Sequence, residues 1–246
     1  MEVIAKTDIG RIREVNQDYV KYYQKSENEC LAVLCDGMGG HQAGEVASCL
    51  ACEDIISSYQ QDNHLYDEAS IKIWMYQAIQ HAHRLVHENG KENSQLEGMG
   101  TTIVVALIKD DNLYVSHVGD SRAYLFENET LKQLTKDDTW VNALVASGSI
   151  SENEAQFHPK KNILLQAIGV SDDINVSFIS KNMKEAIVLL CSDGLYNSLL
   201  DEQIVEILKN DIQLKEKGDQ LIQQANIYGG SDNIGIVLMT SKGVVD

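Results

Sequence analysis

The chain has 246 residues, with 20 Lys and Arg against 37 Asp and Glu, a formal net charge of −17. That acidity excludes nucleic acid and anionic membrane surfaces as main partners, because both are gripped by Lys and Arg. A hydrophobic content of 43% leaves enough apolar side chain for a large core and argues against disorder.

Met1–Lys6 lacks the basic flank and apolar stretch of a secretory leader. The longest apolar runs, Ile103–Ile108 and Ala186–Cys191, are six residues each, which is strand length and far short of a membrane span. A cytoplasmic location is therefore expected. Tyr19–Tyr23 and Cys30–Leu34, separated by polar Gln24–Glu29, predict a hairpin. Helical patterns follow at Gly44–Tyr59 and Asp67–Glu88. Thr101–Ile108, Leu113–Val118, Arg122–Phe126 and Leu131–Leu134 predict a meander of short antiparallel strands. Thr135 and Asp138 have capping-box spacing for a helix through Ala146, and Ser151 and Glu154 repeat it for a shorter one. Strands at Asn175–Ser180 and Ala186–Cys191, helices at Asp201–Lys209 and Leu214–Ile227, and a strand at Ile234–Thr240 complete the series. This succession predicts an α+β fold, with antiparallel sheets packed together and helices outside. Pro159 is the one proline, and no Gly/Ser-rich linker or repeat interrupts the chain, so residues 1–246 are expected to form a single domain.

The five cysteines offer little chemistry. Cys49 and Cys52 form a C-x-x-C within a helical stretch, and no second pair accompanies them. No cysteine is followed six positions later by arginine, the spacing of a thiol nucleophile cradling phosphate. His83 and His87 stand four apart on a polar helix that also carries His81; zinc binding and a solvated helix face both fit that spacing.

Aspartates are more informative. Leu31–Cys35 runs into Asp36-Gly37, Leu113–Val118 into Gly119-Asp120, and Ile187–Ser192 into Asp193-Gly194, while Gly229–Asn233, containing Asp232, leads into Ile234–Met239. Each alone is an ordinary turn signal. Together they place carboxylates beside glycines at the ends of the most apolar strands. Carboxylates gathered there would repel one another unless cations sat between them, and all-oxygen sites suit Mg²⁺ or Mn²⁺ better than zinc.

At this point the motifs resemble the metal-dependent protein phosphatases of the type 2C class, and especially compact bacterial members. Thr7-Asp8-Ile9-Gly10 with Arg13 and Asn16-Gln17-Asp18, then Asp36-Gly37-Met38-Gly39-Gly40-His41 with Gly44 and Ala47-Ser48, follow that family's order. Gly100-Thr101-Thr102, Gly119-Asp120-Ser121-Arg122, Leu134-Thr135 with Asp137, His158-Pro159 with Asn162, Ser192-Asp193-Gly194 and Ser231-Asp232-Asn233 continue it over nearly the whole chain.

The resemblance implies a central antiparallel β-sandwich flanked on both sides by helix pairs. It implies two Mn²⁺ or Mg²⁺ ions in a core site, with Asp36 bridging them, the Gly37 carbonyl on one, and Asp193 and Asp232 on the other. Asp18 would act through a metal-bound water, and Asp120 with Asp193 would hold a third ion. A hydroxide shared by two cations about 3.5–4 Å apart would attack phosphorus directly. Arg13 would neutralise phosphoryl oxygens as a fork, and read by itself it is a surface arginine. His41 is a candidate for proton transfer or substrate orientation, and a structural hydrogen-bonder reads equally well. The function implied is hydrolysis of phosphoserine and phosphothreonine in proteins, opposing a serine/threonine kinase, by a monomer.

Two departures from the family pattern stand out. Asp138 and Thr139 occupy places where many bacterial relatives carry histidine and serine. They precede Val141–Leu165, the segment corresponding to a mobile flap beside the active site. Gln17 stands where eukaryotic members carry glutamate, which predicts weaker binding of the second metal. Two other readings remain at this level: a non-catalytic phosphoprotein-binding scaffold, and a phosphatase dedicated to one regulatory protein.

Overall fold

Strands that are apolar at nearly every position must be covered on both faces, even in an antiparallel sheet. The computed structural model describes residues 1–40, 43–62, 64–183 and 185–241 and meets that demand with four layers. The elements begin with β1 (Glu2–Asp8), β2 (Asp18–Ser26) and β3 (Glu29–Met38), then α1 (Ala43–Gln61) and α2 (Glu68–Glu92). Next come β4 (Gly100–Thr101), β5 (Ile103–Lys109), β6 (Asn112–Val118), β7 (Arg122–Glu127) and β8 (Thr130–Gln133), followed by α3 (Trp140–Ala146) and α4 (Glu152–Gln156). The rest is β9 (Ile179–Asn182), β10 (Ile187–Cys191), α5 (Asp193–Tyr196), α6 (Asp201–Leu208), α7 (Leu214–Ile227) and β11 (Ile234–Thr240).

One sheet runs β1-β11-β10-β7-β8 and the other β2-β3-β5-β6-β9, with β4 paired to β3. Alternation along each strand divides its side chains between two cores. On β3, Cys30, Ala32 and Leu34 face the other sheet, where they join Val188, Leu190, Val237 and Met239. Leu31, Val33 and Cys35 point the other way, into a core closed by α1 and α2. On the sheet that contains β10 and β11, Leu189, Ile234, Ile236 and Leu238 pack outward against α5, α6 and α7. The expected sandwich between helix layers is what the chain adopts.

Several boundaries differ from the sequence reading. The run from Thr101 to Leu134 is not one meander: β5 pairs with β6 and β7 with β8, but the chain changes sheet at 119–121. Thr135 does not begin a helix; its buried hydroxyl accepts from the Ala123 amide, and Thr139 caps α3 instead. The strand expected at Asn175–Ser180 lies at Ile179–Asn182, where β6 supplies a partner. The strand at the N-terminus was not anticipated; β1 is held by seven paired positions along β11.

Burial between the sheets makes that core sensitive to volume. Leu34→Ala, at a fully buried inter-sheet position, is expected to lose about 2–5 kcal/mol of stability in urea unfolding. A loss under 1 kcal/mol would contradict a closely packed interface there.

Candidate active site

The register of the strands gathers the aspartates at one end of the sandwich. Asp18, first in β2, lies directly opposite Asp36 on β3. At the same end β6 delivers Asp120, just beyond Val118, which pairs with Ile103. In the other sheet Cys191 of β10 is paired with Ile236, so Asp193 and Asp232 emerge together. The sheets are tied across this end by Ser192, whose hydroxyl donates to Asp18 Oδ2 at 2.6 Å and accepts from the Gly235 amide at 2.8 Å.

Glycine permits the closest contacts. A Cβ on Gly37 would lie 2.1 Å from the Gly44 carbonyl oxygen and 2.8 Å from that of Gln17. Its amide donates to Gln17 O at 3.0 Å, so the end of β3, the start of α1 and the approach to Asp18 are pressed together.

The electrostatics follow from burial and crowding. Asp18 is 6% exposed and its carboxyl is pushed up to about 7, chiefly by burial and then by the charge of Asp232. Asp193 rises to about 7, again first through burial and then through Asp120, Asp232 and Asp18. Burial drives Asp36 well above the ordinary range, and the charges of Asp18, Asp193, Asp120 and Asp232 all add to it. Asp120 reaches about 6 through burial and the neighbouring Asp137. Asp18 Oδ1 is buried without a hydrogen-bond partner. An orphaned carboxylate oxygen inside a group of mutually repelling carboxylates fits a site for hard, oxygen-liganded cations. Among the described residues, no three His, Cys, Asp or Glu side chains close into a compact metal cage.

Arg13 provides positive charge at the rim. Its Nη2 donates to Asp232 Oδ2 at 2.7 Å, and that bond raises its pKa further. The loop bearing it is held by a side chain for which the sequence reading gave no role. Asn233 donates to the carbonyls of Ile9 (2.9 Å) and Val15 (3.0 Å) and accepts from the Gln17 amide at 2.9 Å. Behind Asp120, Arg122 grips Asp137 through Nε and Nη2, at 3.0 and 2.7 Å, and stacks 3.6 Å from the Tyr196 ring centroid.

A family model described as protein phosphatase 2C matches residues 11–226. The chain belongs to the protein phosphatase 2C family. Its curated relatives include the serine/threonine phosphatase stp of Listeria monocytogenes, 39% identical over 99% of this chain and 98% of the relative. Among solved structures, the S. agalactiae serine/threonine phosphatase superposes with a TM-score of 0.91 at 35% identity, covering 96% of this chain and 98% of that one. The catalytic domain of the serine/threonine protein phosphatase PstP, in complex with two manganese ions, matches with a TM-score of 0.81 at 32% identity and 96% coverage of each chain.

As a 2C-type phosphatase, the chain brings together Arg13, Asp18, Asp36, Gly37, Asp120, Asp193 and Asp232 at one end of its sandwich. His41 lies outside the described residues. Ser192 and Asn233 stood within recognised motifs, yet only the fold reveals what their side chains hold. Asp138 is a structural anchor: its Oδ2 accepts from the Gly119 amide at 2.9 Å and from Gln166 Nε2 at 2.7 Å.

The raised carboxyls make a pH prediction for the metal-free chain. Between the ordinary value of 3.8 and about 7, folded Asp18 keeps a proton that the unfolded chain has released, so stability falls as pH rises through that window. In chelator at pH 8, Asp18→Asn is expected to melt about 2–4 °C above the wild type, the gain from roughly 1 kcal/mol in a chain of this size, and the difference should vanish towards pH 4. Equal midpoints at pH 8 would contradict a buried, repelled carboxylate.

Proposed function

We propose that this phosphatase removes phosphate from phosphoserine and phosphothreonine in proteins with the help of divalent cations, and thereby reverses serine/threonine kinase signalling. One observation carries the reading: five aspartates from both sheets meet at one end of the sandwich, and those most deeply buried are held above the ordinary carboxylate range. The phosphatases named among its relatives and the manganese-bound PstP structure support it.

In this proposal Asp36, the Gly37 carbonyl, Asp193 and Asp232 would hold two Mn²⁺ or Mg²⁺ ions, with Asp18 in support. Asp120 with Asp193 would hold a third. When bound, the cations supply the acidity that yields a hydroxide nucleophile near neutral pH, together with charge for the phosphoryl oxygens. Arg13 presents two donors to those oxygens, a match that a lysine ammonium lacks. Its ion pair with Asp232 keeps the guanidinium at the mouth of the site. Ser192 fixes the orientation of Asp18, and Asn233 fixes the loop of Arg13. From sequence position alone, His41 is assigned proton transfer or substrate orientation.

Residues 1–246 are proposed to act as one catalytic domain, with 141–165 as a movable flap. The segment is fastened at its root, where the Trp140 amide donates to Ile163 O at 2.8 Å and the Leu165 amide to Asp138 O at 2.8 Å. Beyond the root it carries the short α3 and α4 and a Phe157 that is 85% exposed. Weakly packed elements on a fixed base suit a lid. Phosphoprotein substrates and an opposing serine/threonine kinase are the proposed partners, and the chain is proposed to act as a cytoplasmic monomer. Among the described residues no helix is long and apolar enough to cross a membrane.

A phosphothreonine peptide tests this directly. Hydrolysis is expected with Mn²⁺, none above background in chelator, and a kcat about 10²–10³-fold lower in Asp193→Asn, the range for losing one preorganised electrostatic group. Equal hydrolysis in chelator would overturn the metal-dependent reading.

A further inference from the structure

The two histidines spaced four apart on α2 do something other than present a zinc site. The Gly169 amide donates to His83 Nδ1 at 3.1 Å, so that nitrogen is an acceptor and the proton of the neutral ring sits on Nε2. Gly169 O lies 2.9 Å from His87 Nδ1; a carbonyl only accepts, so His87 carries its proton on Nδ1. One peptide-bearing residue thus has both of its backbone groups taken by two rings of opposite tautomer. The rings stand 6.1 Å apart and within 12° of parallel. His87 keeps a free Nε2, but the Nε2 of His83 carries the proton, so a ligand pair at that spacing would have to break the contact between His83 and the Gly169 amide.

Gly169 is suited to be held in this way. Its φ is +86°, and a Cβ there would lie 2.3 Å from Val86 Cγ1, so the backbone sits directly on α2 between the two histidines. Its neighbour Ile168 makes two backbone bonds with Thr101, at 3.1 and 2.9 Å. Thr101 Oγ1 in turn donates to the Asp36 carbonyl at 2.9 Å, and the Thr102 amide donates to the same carbonyl at 2.9 Å. Two residues before Ile168, Gln166 is fastened to Asp138 and to the Asn175 carbonyl. The arm 166–170, along which the chain returns from segment 141–165, is therefore pinned at Asp138, at Thr101 and at the two histidines.

We propose that His83 and His87 are positioning residues that clamp Gly169, and through it seat the returning arm of the flap against the strand that carries Asp36. The clamp itself stands on geometry; its effect on phosphopeptide use rests on the phosphatase reading above. The charged and titratable neighbours of His83 are His87 and Arg84 on α2 and Asp173 beyond the arm; burial, then His87 and Arg84, disfavour its protonated form. Protonation would remove the acceptor that Gly169 uses; because that form is disfavoured, the clamp holds through the ordinary histidine range and loosens only below it.

The test uses the full-length chain. At pH 8, ¹⁵N spectra are expected to show His83 protonated at Nε2 and His87 at Nδ1. His83→Leu should speed exchange of the Gly169 amide about tenfold and raise KM for a phosphothreonine peptide about tenfold, the worth of a buried hydrogen bond. Its kcat on p-nitrophenyl phosphate should stay within about twofold of wild type, since the reacting groups are untouched. His83→Asn, which can place an amide oxygen where Nδ1 was, should restore both exchange and KM. The same tautomer on both rings, or unchanged exchange at Gly169, would overturn the clamp. Equal losses on both substrates with no rescue by His83→Asn would overturn the positioning role. Should His83→Leu not fold, the tautomers of the unaltered chain decide. Failure of the wild type to hydrolyse any phosphopeptide would sink the phosphatase reading, and the tautomers and Gly169 exchange would still judge the clamp.

Discussion

Aspartates buried against one another are costly for a fold to keep, because desolvation and mutual repulsion both favour the protonated form. In this chain they are held there by the framework. Asp18 and Asp36 face each other across a strand pair, and Asp193 and Asp232 flank the adjacent strands of the other sheet. The inter-sheet core fixes how far apart the two sets stand, and Ser192 bonds one to the other. A divalent cation relieves both penalties together. The same arrangement that destabilises the isolated chain above neutral pH would therefore be the source of its affinity for metal.

Around this fixed centre the remaining parts differ in how firmly they are held. Arg13 rides on a loop whose Ile9, Ile12 and Val15 are exposed, so the loop is anchored by polar bonds to Asn233 rather than by burial. Segment 141–165 has few buried residues of its own and depends on bonds at its root to Asp138 and Ile163. The histidine clamp on Gly169 continues that root towards Asp36. Rigid strand ends carrying the proposed metal-binding groups, with polar-anchored loops carrying the proposed substrate-facing ones, would give a division suited to binding varied phosphoproteins around one reacting centre.

Much of this was legible in sequence, for physical reasons. Runs such as Ile103–Ile108 are apolar at every position, which announces strands covered on both faces, and Asp-Gly or Gly-Asp pairs at their ends mark where the chain must turn with a carboxylate. The α+β layers followed from those signals, while a shared site of Asp18, Asp36, Asp120, Asp193 and Asp232 was implied by the family resemblance of the motifs. Pairing between distant strands was less visible. The break at 119–121, where β6 and β7 part to different sheets, has the same turn chemistry as a hairpin, and β1 owes its existence to β11 more than 200 residues away. Thr135 carries a capping signature that tertiary contact overrides. The tasks of Ser192, Asn233, His83 and His87 are hydrogen bonds to groups far along the chain, and no local pattern encodes such partners.

The buried aspartates are proposed to form a site for divalent cations. Calorimetric titration of the metal-free chain with Mn²⁺ tests it without reference to any substrate. At least two Mn²⁺ are expected to bind per wild-type chain, with that stoichiometry lost in Asp36→Asn, whose side chain lacks the second anionic oxygen. A wild type that binds no Mn²⁺, or an Asp36→Asn variant that binds as the wild type does, would contradict it.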